Sequence, residues 1–133
     1  VPCAPRPWGK LSAINYNTGD LLWERPFGTL EGLAPWPISR LEGPPNIGGA
    51  ALTASGLTFI ASTTDSYFRA FDTDTGKELW KTKLPTGGHA NPMTYRAGKN
   101  QKQYVIITAG GYLNPTFKEP MGDYLIAYAL PDN

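Results

Sequence analysis

Residues 11–24, LSAINYNTGDLLWE, and residues 68–81, FRAFDTDTGKELWK, are two copies of one pattern. They share Ala13/Ala70, Thr18/Thr75, Gly19/Gly76, Leu22/Leu79 and Trp23/Trp80, each pair 57 residues apart. A third, partial copy, Leu125-Ile126-Ala127-Tyr128-Ala129, stands at the same spacing and ends before its turn and its tryptophan. Each copy reads as alternating residues, then Asn or Asp with a Thr-Gly pair, then alternating residues ending in Trp. That is the writing of a β-hairpin whose glycine takes φ > 0 at the turn.

Outward from the second copy, Ala50 to Ser55 and Leu57 to Ser62, hinged at Gly56, are rich in Leu, Ile, Phe and Thr and read as two more strands. The third copy repeats the arrangement with Pro92 to Tyr95, Gln103 to Thr108 and Tyr124 to Leu130, and Ala97 to Asn100 forms the first turn. Four-stranded antiparallel units that recur every few tens of residues, each with a periodic aromatic, are how a β-propeller is written in sequence. The expected fold is therefore all-β, part of a propeller, about two and a half blades: a partial blade over 9–27, a full blade over 49–84 and a partial blade over 91–130. Propellers close with at least about four blades. The expectation is thus a C-terminal piece of one larger propeller domain, its open blade edges covered by the rest of the ring or by a complementary chain.

Composition supports this reading. Fifteen Gly, thirteen Pro, four Trp, seven Tyr and five Phe among 133 residues describe short strands joined by turns. Twelve Lys and Arg stand against eleven Asp and Glu with no basic run, which argues against nucleic acid as a partner. The longest apolar stretches, Tyr104 to Ala109 and Tyr124 to Leu130, are strand-sized and far short of the ~20 residues of a membrane helix. The sequence opens at Val1 without a charged and then apolar leader, as expected of a piece cut from a longer chain. Cys3 is the single cysteine and leaves the redox compartment open.

The paired motif from Ala13 to Trp23 and from Ala70 to Trp80 resembles the tryptophan-docking motif of pyrroloquinoline quinone (PQQ) dehydrogenases. There the indole packs between neighbouring blades and its N–H finds a backbone acceptor. The resemblance extends over Pro2-Cys3, Pro7-Trp8-Gly9-Lys10, Gly48-Gly49, Thr64 to Ala70, Leu84-Pro85, Gly87-Gly88, Pro92 to Tyr95, Gln103 to Val105, Ala109-Gly110-Gly111, Met121 to Tyr124 and Ala127 to Pro131. This series looks like the C-terminal end of the membrane-bound glucose, quinate and polyol dehydrogenase branch. It implies an eight-bladed ring with PQQ and a calcium ion on its axis, and a periplasmic location with the parent anchored to the inner membrane. It also implies hydride transfer from a sugar, quinate or other cyclic polyol to PQQ, with electrons passed to ubiquinone. The second functional class is a non-catalytic propeller scaffold that uses the same docking motifs to present a protein-binding face.

Against the family pattern, the glucose enzymes carry a histidine after the Ala-Gly-Gly run, where this chain has Tyr112, and the following loop, Leu113 to Pro120, is longer here. Both departures point away from glucose. Tyr112 is a candidate to stack on, or donate a hydrogen bond to, a flat cofactor; an exposed loop tyrosine is the competing reading. Asp65 matches an aspartate that the family places near its active site, and a turn aspartate capping its own backbone is its alternative. His89, the only histidine, falls where the family tends to have glutamine, and a solvated loop side chain competes. Asn46 and Ile47, before Gly48-Gly49, fall where related enzymes put residues against the quinone, unless they only shape the turn. Trp36 lies in a Pro- and Gly-rich loop from Phe27 to Pro45 that borders the site mouth or covers the next blade. Calcium takes six to eight oxygen ligands, and no run of alternating carboxylates supplies them here, so its ligands and the catalytic base are expected in the missing blades.

Overall fold

The computed structural model describes residues 3–99, 101–112 and 119–131. Nine strands run through them in chain order: β1 (Lys10–Ile14), β2 (Leu21–Pro26), β3 (Ala50–Leu52), β4 (Leu57–Ile60), β5 (Tyr67–Asp72), β6 (Glu78–Lys83), β7 (Met93–Ala97), β8 (Lys102–Ala109) and β9 (Tyr124–Ala129). They form three sheets, β1-β2, β3-β4-β5-β6 and β7-β8-β9, in which every neighbour is sequential and every pairing antiparallel. The middle sheet is the full blade expected from the repeat, and its neighbours are the two partial ones.

The 57-residue repeat is physical. Ala13 pairs with Trp23 and Ala70 with Trp80, and the same one-residue register shift follows each alanine. In both hairpins the residue opening the turn accepts from the glycine amide, Gly19 to Asn15 and Gly76 to Asp72, while its side chain caps the loop. Identical turn chemistry fixes identical register.

Core packing lies between the sheets. β5 is buried along almost its whole length because it is covered on both faces. Phe68 faces the third sheet and joins Ala61, Leu84, Val105, Ile107 and Ala109 in one cluster. Phe71, on the other face of the pleat, joins Phe27 and Ile60 against the first sheet. Trp23 bridges the same gap: its indole N–H donates to the Thr73 carbonyl at 2.9 Å, and its ring lies flat on Gly76. A β-carbon at residue 76, where φ is +69°, would stand 2.7 Å from the indole, so the turn glycine also serves as the docking surface.

Two expectations change. The strands expected over 50–55 and 57–62 are shorter. Thr53 closes a tight turn, its amide donating to the Leu57 carbonyl and its hydroxyl accepting from the Leu57 amide. Beyond Ile60 the chain leaves the ladder, because the Ser62 amide donates to the Gly88 carbonyl instead. Trp80 does not repeat the Trp23 hydrogen bond among the described residues; it packs edge-on against Phe68 and Tyr128, at 5.8 and 5.3 Å between centroids. The loop from Phe27 to Pro45 contains one isolated bridge, Thr29 to Glu42, and a 3-10 turn, Ile38–Arg40, and Trp36 in it is exposed.

Antiparallel neighbours force successive connections to opposite ends of the sheets. The β4–β5 and β8–β9 loops therefore share one end with the links from β2 to β3 and from β6 to β7. Backbone hydrogen bonds stitch all four together: Ile47 N–H to Ser62 O, Ser62 N–H to Gly88 O and Gly111 N–H to Gly87 O.

Candidate functional site

Every residue singled out by sequence lies on that stitched end, but not in one cluster. Asp65 is fully buried, and its carboxylate is saturated by the protein. Oδ1 accepts from Thr63 Oγ1 at 2.5 Å, Arg69 Nη1 at 3.1 Å and Tyr67 N–H at 3.2 Å; Oδ2 accepts from Arg69 Nη2 at 2.5 Å, Thr29 N–H at 2.9 Å and Thr29 Oγ1 at 3.1 Å. Burial pushes this carboxyl up, but the Arg69 hydrogen bonds and charge, with Thr63 and Tyr67, outweigh it and hold it below the ordinary carboxylate value. Asp65, expected beside a cofactor, thus has both carboxylate oxygens engaged by groups of the protein itself. The carboxylate ties the β2–β3 link, through Thr29, to the β4–β5 loop and to β5.

Three of the other four candidates do meet. His89 Nδ1 is 3.1 Å from the Ile47 carbonyl oxygen, and its ring lies 5.6 Å from that of Tyr112, tilted by 57°. Its Nε2 is 2.7 Å from Oε2 of Glu119. Both members of this pair are largely buried, which overturns the picture of His89 as a solvated loop side chain. Ile47 contributes backbone at both its N–H and its carbonyl, while its side chain is exposed. Asn46 lies at the edge of the group, its amide nitrogen packed against Gly9 and Pro44. Residues 113–118 of the long loop lie outside the described residues.

Three buried polar atoms have no hydrogen-bond partner among the described residues: Asn46 Nδ2, Ser62 Oγ and Glu119 Oε1. All three belong to this end of the sheets, and Ser62 Oγ and the His89 carbonyl both face Gly48. Buried unpaired polar atoms are costly, about 1–3 kcal/mol each, so each of the three calls for a partner that the described residues do not supply.

Residues 1–105 match the family described as PQQ: Glucose/ethanol/alcohol dehydrogenase, beta-propeller domain. The chain belongs to this family. It is 46% identical over 136 residues to a probable quinate dehydrogenase (quinone) of Xanthomonas campestris pv. juglandis, covering 99% of this chain and 17% of that protein. It is 42% identical over 137 residues to the quinoprotein glucose dehydrogenase of Escherichia coli (strain K12), covering 100% of this chain and 17% of that protein. In three dimensions it resembles the quinohemoprotein alcohol dehydrogenase ADHIIG from Pseudomonas putida HK5, with a TM-score of 0.56 and 30% identity over 77% of this chain and 12% of that one. The chain thus spans about a sixth of the length of the curated relatives it matches. The all-β propeller architecture is shared with this PQQ-dependent family.

The fit to the family's cofactor is good in one respect and absent in another. The unpaired donors Asn46 Nδ2 and Ser62 Oγ and the Tyr112 ring beside His89 are groups of the chemistry that a flat polyanionic quinone takes. For calcium, no group of three or more His, Cys, Asp or Glu side chains converges among the described residues. A cleft of about 640 Å³, lined by Phe59, Leu79, Trp80, Tyr104, Tyr128 and Leu130, opens at the opposite end of the sheets. It is the apolar gap between two blades at Trp80 and has no part in this chemistry.

Glu119 was not among the residues selected by sequence. The parity of the strands could have found it, since an antiparallel meander necessarily puts the β8–β9 and β6–β7 connections at one end.

Proposed function

We propose that this chain is the C-terminal portion of a periplasmic, membrane-anchored quinoprotein dehydrogenase. Its parent oxidises a sugar, quinate or another cyclic polyol and passes the electrons to ubiquinone. The observation that carries the reading is the convergence of four separate connections on one polar cluster with unsatisfied buried atoms, in a chain whose relatives match it end to end. Bound there, PQQ supplies a two-electron ortho-quinone able to take a hydride from a carbinol carbon. Asn46 and Ser62 offer it hydrogen bonds, and Tyr112 offers a ring edge and a hydroxyl. His89, held from both sides, keeps Tyr112 and the Ile47 backbone in place. Asp65 acts one layer below, locking the connections that carry these groups.

The test is reconstitution of the full-length parent with PQQ and calcium. The expected result is cofactor absorbance together with polyol-dependent dye reduction, and loss of most of the oxidation rate on Tyr112→Ala. Absence of cofactor uptake by the intact parent refutes the proposal, and a non-catalytic scaffold would show no oxidation for Tyr112→Ala to remove.

A further inference from the structure

The hydrogen bonds of His89 determine what Glu119 can offer a ligand. The Ile47 carbonyl can only accept, so His89 Nδ1 carries hydrogen and donates to it across 3.1 Å. Nε2 and Glu119 Oε2, 2.7 Å apart, then hold one proton between them, on whichever atom it rests. In either placement the second oxygen, Oε1, is an acceptor with nothing to give. It is buried, belongs to a side chain only 5% exposed and has no partner among the described residues. Gly87 keeps this arrangement open: a β-carbon there would overlap both the Glu119 carboxylate and His89 Nε2.

We infer that Glu119 is a substrate-selecting residue: its Oε1 accepts a hydroxyl hydrogen from an uncharged polyol or sugar, and the site disfavours a ring carboxylate at that position. This rests on the dehydrogenase reading above and narrows its substrate class. The chemistry is complementary on one side and mismatched on the other. A hydroxyl donates to this acceptor, whereas an ionised carboxylate sets acceptor against acceptor there.

Two variants separate the acceptor from the shape. In Glu119→Gln the amide NH₂ donates to His89 Nε2 and the carbonyl takes the place of Oε1, so the acceptor survives. In Glu119→Met the volume is kept and the acceptor is gone. The experiment is steady-state dye reduction by the reconstituted full-length holoenzyme with glucose, glycerol and myo-inositol as uncharged substrates and quinate as the carboxylated one, with cofactor absorbance recorded for each variant.

The wild type is expected to favour at least one uncharged substrate over quinate by about tenfold or more in kcat/KM. Glu119→Met should raise KM for that substrate about tenfold or more, the loss of one hydrogen bond to a strongly polar acceptor, with kcat within about threefold. Glu119→Gln should stay within about threefold of wild type in both, and quinate should be indifferent to either change. A wild-type preference for quinate overturns the inference, and so does an unchanged polyol KM in a cofactor-loaded Met variant. If the Met variant takes up no cofactor, the wild-type preference decides. Cofactor uptake with oxidation of some alcohol leaves the dehydrogenase reading standing when the selectivity result fails; no uptake in the wild type removes both.

Discussion

Replacing Asp65 by Asn tests whether this residue is a buried strut or a ligand group. The substitution keeps the shape and removes the charge that faces Arg69 at 2.5 Å, in a pair whose side chains are 0% and 5% exposed. Removing one partner of a buried pair costs about 3–5 kcal/mol, because the other charge is left uncompensated. Arg69 retains Glu78, 3.3 Å from its Nε, so the lower end, about 3 kcal/mol, is expected. The amides of Thr29 and Tyr67 both donate to the Asp65 carboxylate and so report the loss directly. In the cofactor-free full-length parent at neutral pH, hydrogen exchange at these two amides should accelerate roughly a hundredfold, the rate equivalent of that free energy. Exchange at Gly76, whose amide is bonded within the β5–β6 turn at the other end of the sheet, should be unchanged. Unchanged exchange at Thr29 and Tyr67 together with weakened cofactor uptake would refute the reasoning and restore Asp65 as a ligand group.

Acid should act through the same residue. Because its folded carboxyl lies below the ordinary value of about 3.9, its contribution to stability is present above that value and lost as pH falls through the lower folded one. The Asn variant should lose this acid dependence of exchange at Thr29. Gly76→Ala should destabilise the docked blades by about 2 kcal/mol, through left-handed strain and displacement of the Trp23 indole, and should change near-ultraviolet circular dichroism. Phe68→Ala, which empties a fully buried ring site between Phe59, Trp80 and Tyr128, should cost about 3–5 kcal/mol in denaturant unfolding of the parent.

Strand pairing was legible because its causes are local. The alternation of β1, β5 and β9 and the Asn or Asp, Thr, Gly chemistry of the turns act over a few residues, and equal chemistry at a 57-residue spacing yields equal register. Strand ends were less legible, for β4 stops at Ile60 through a hydrogen bond to Gly88 that nothing within reach of Ile60 announces. Trp80 shows the same limit: its motif is the same as that of Trp23, but what an indole meets depends on the neighbouring blade rather than on its own hairpin.

At the site, single residues disclosed less than the fold does for Asp65 and His89. Asp65 was selected because it matches an aspartate that related enzymes place near their active site, with a turn cap as the alternative, yet Arg69 four residues on, inside a strand with both faces covered, sets a buried counter-charge against it. The arginine was visible in the sequence; that its guanidinium had nowhere else to go was not. His89 looked solvated because its partners, Ile47 and Glu119, stand 42 and 30 residues away. Only the fold brings them together, yet the fold does so by a rule that can be read beforehand. In an antiparallel meander alternate connections share an end, so polar residues in alternate loops are the ones to pair in thought before any coordinates exist. Applied here, that rule joins the β2–β3 link, the β4–β5 loop, the β6–β7 link and the β8–β9 loop, and these four hold every unpaired buried polar atom found among the described residues.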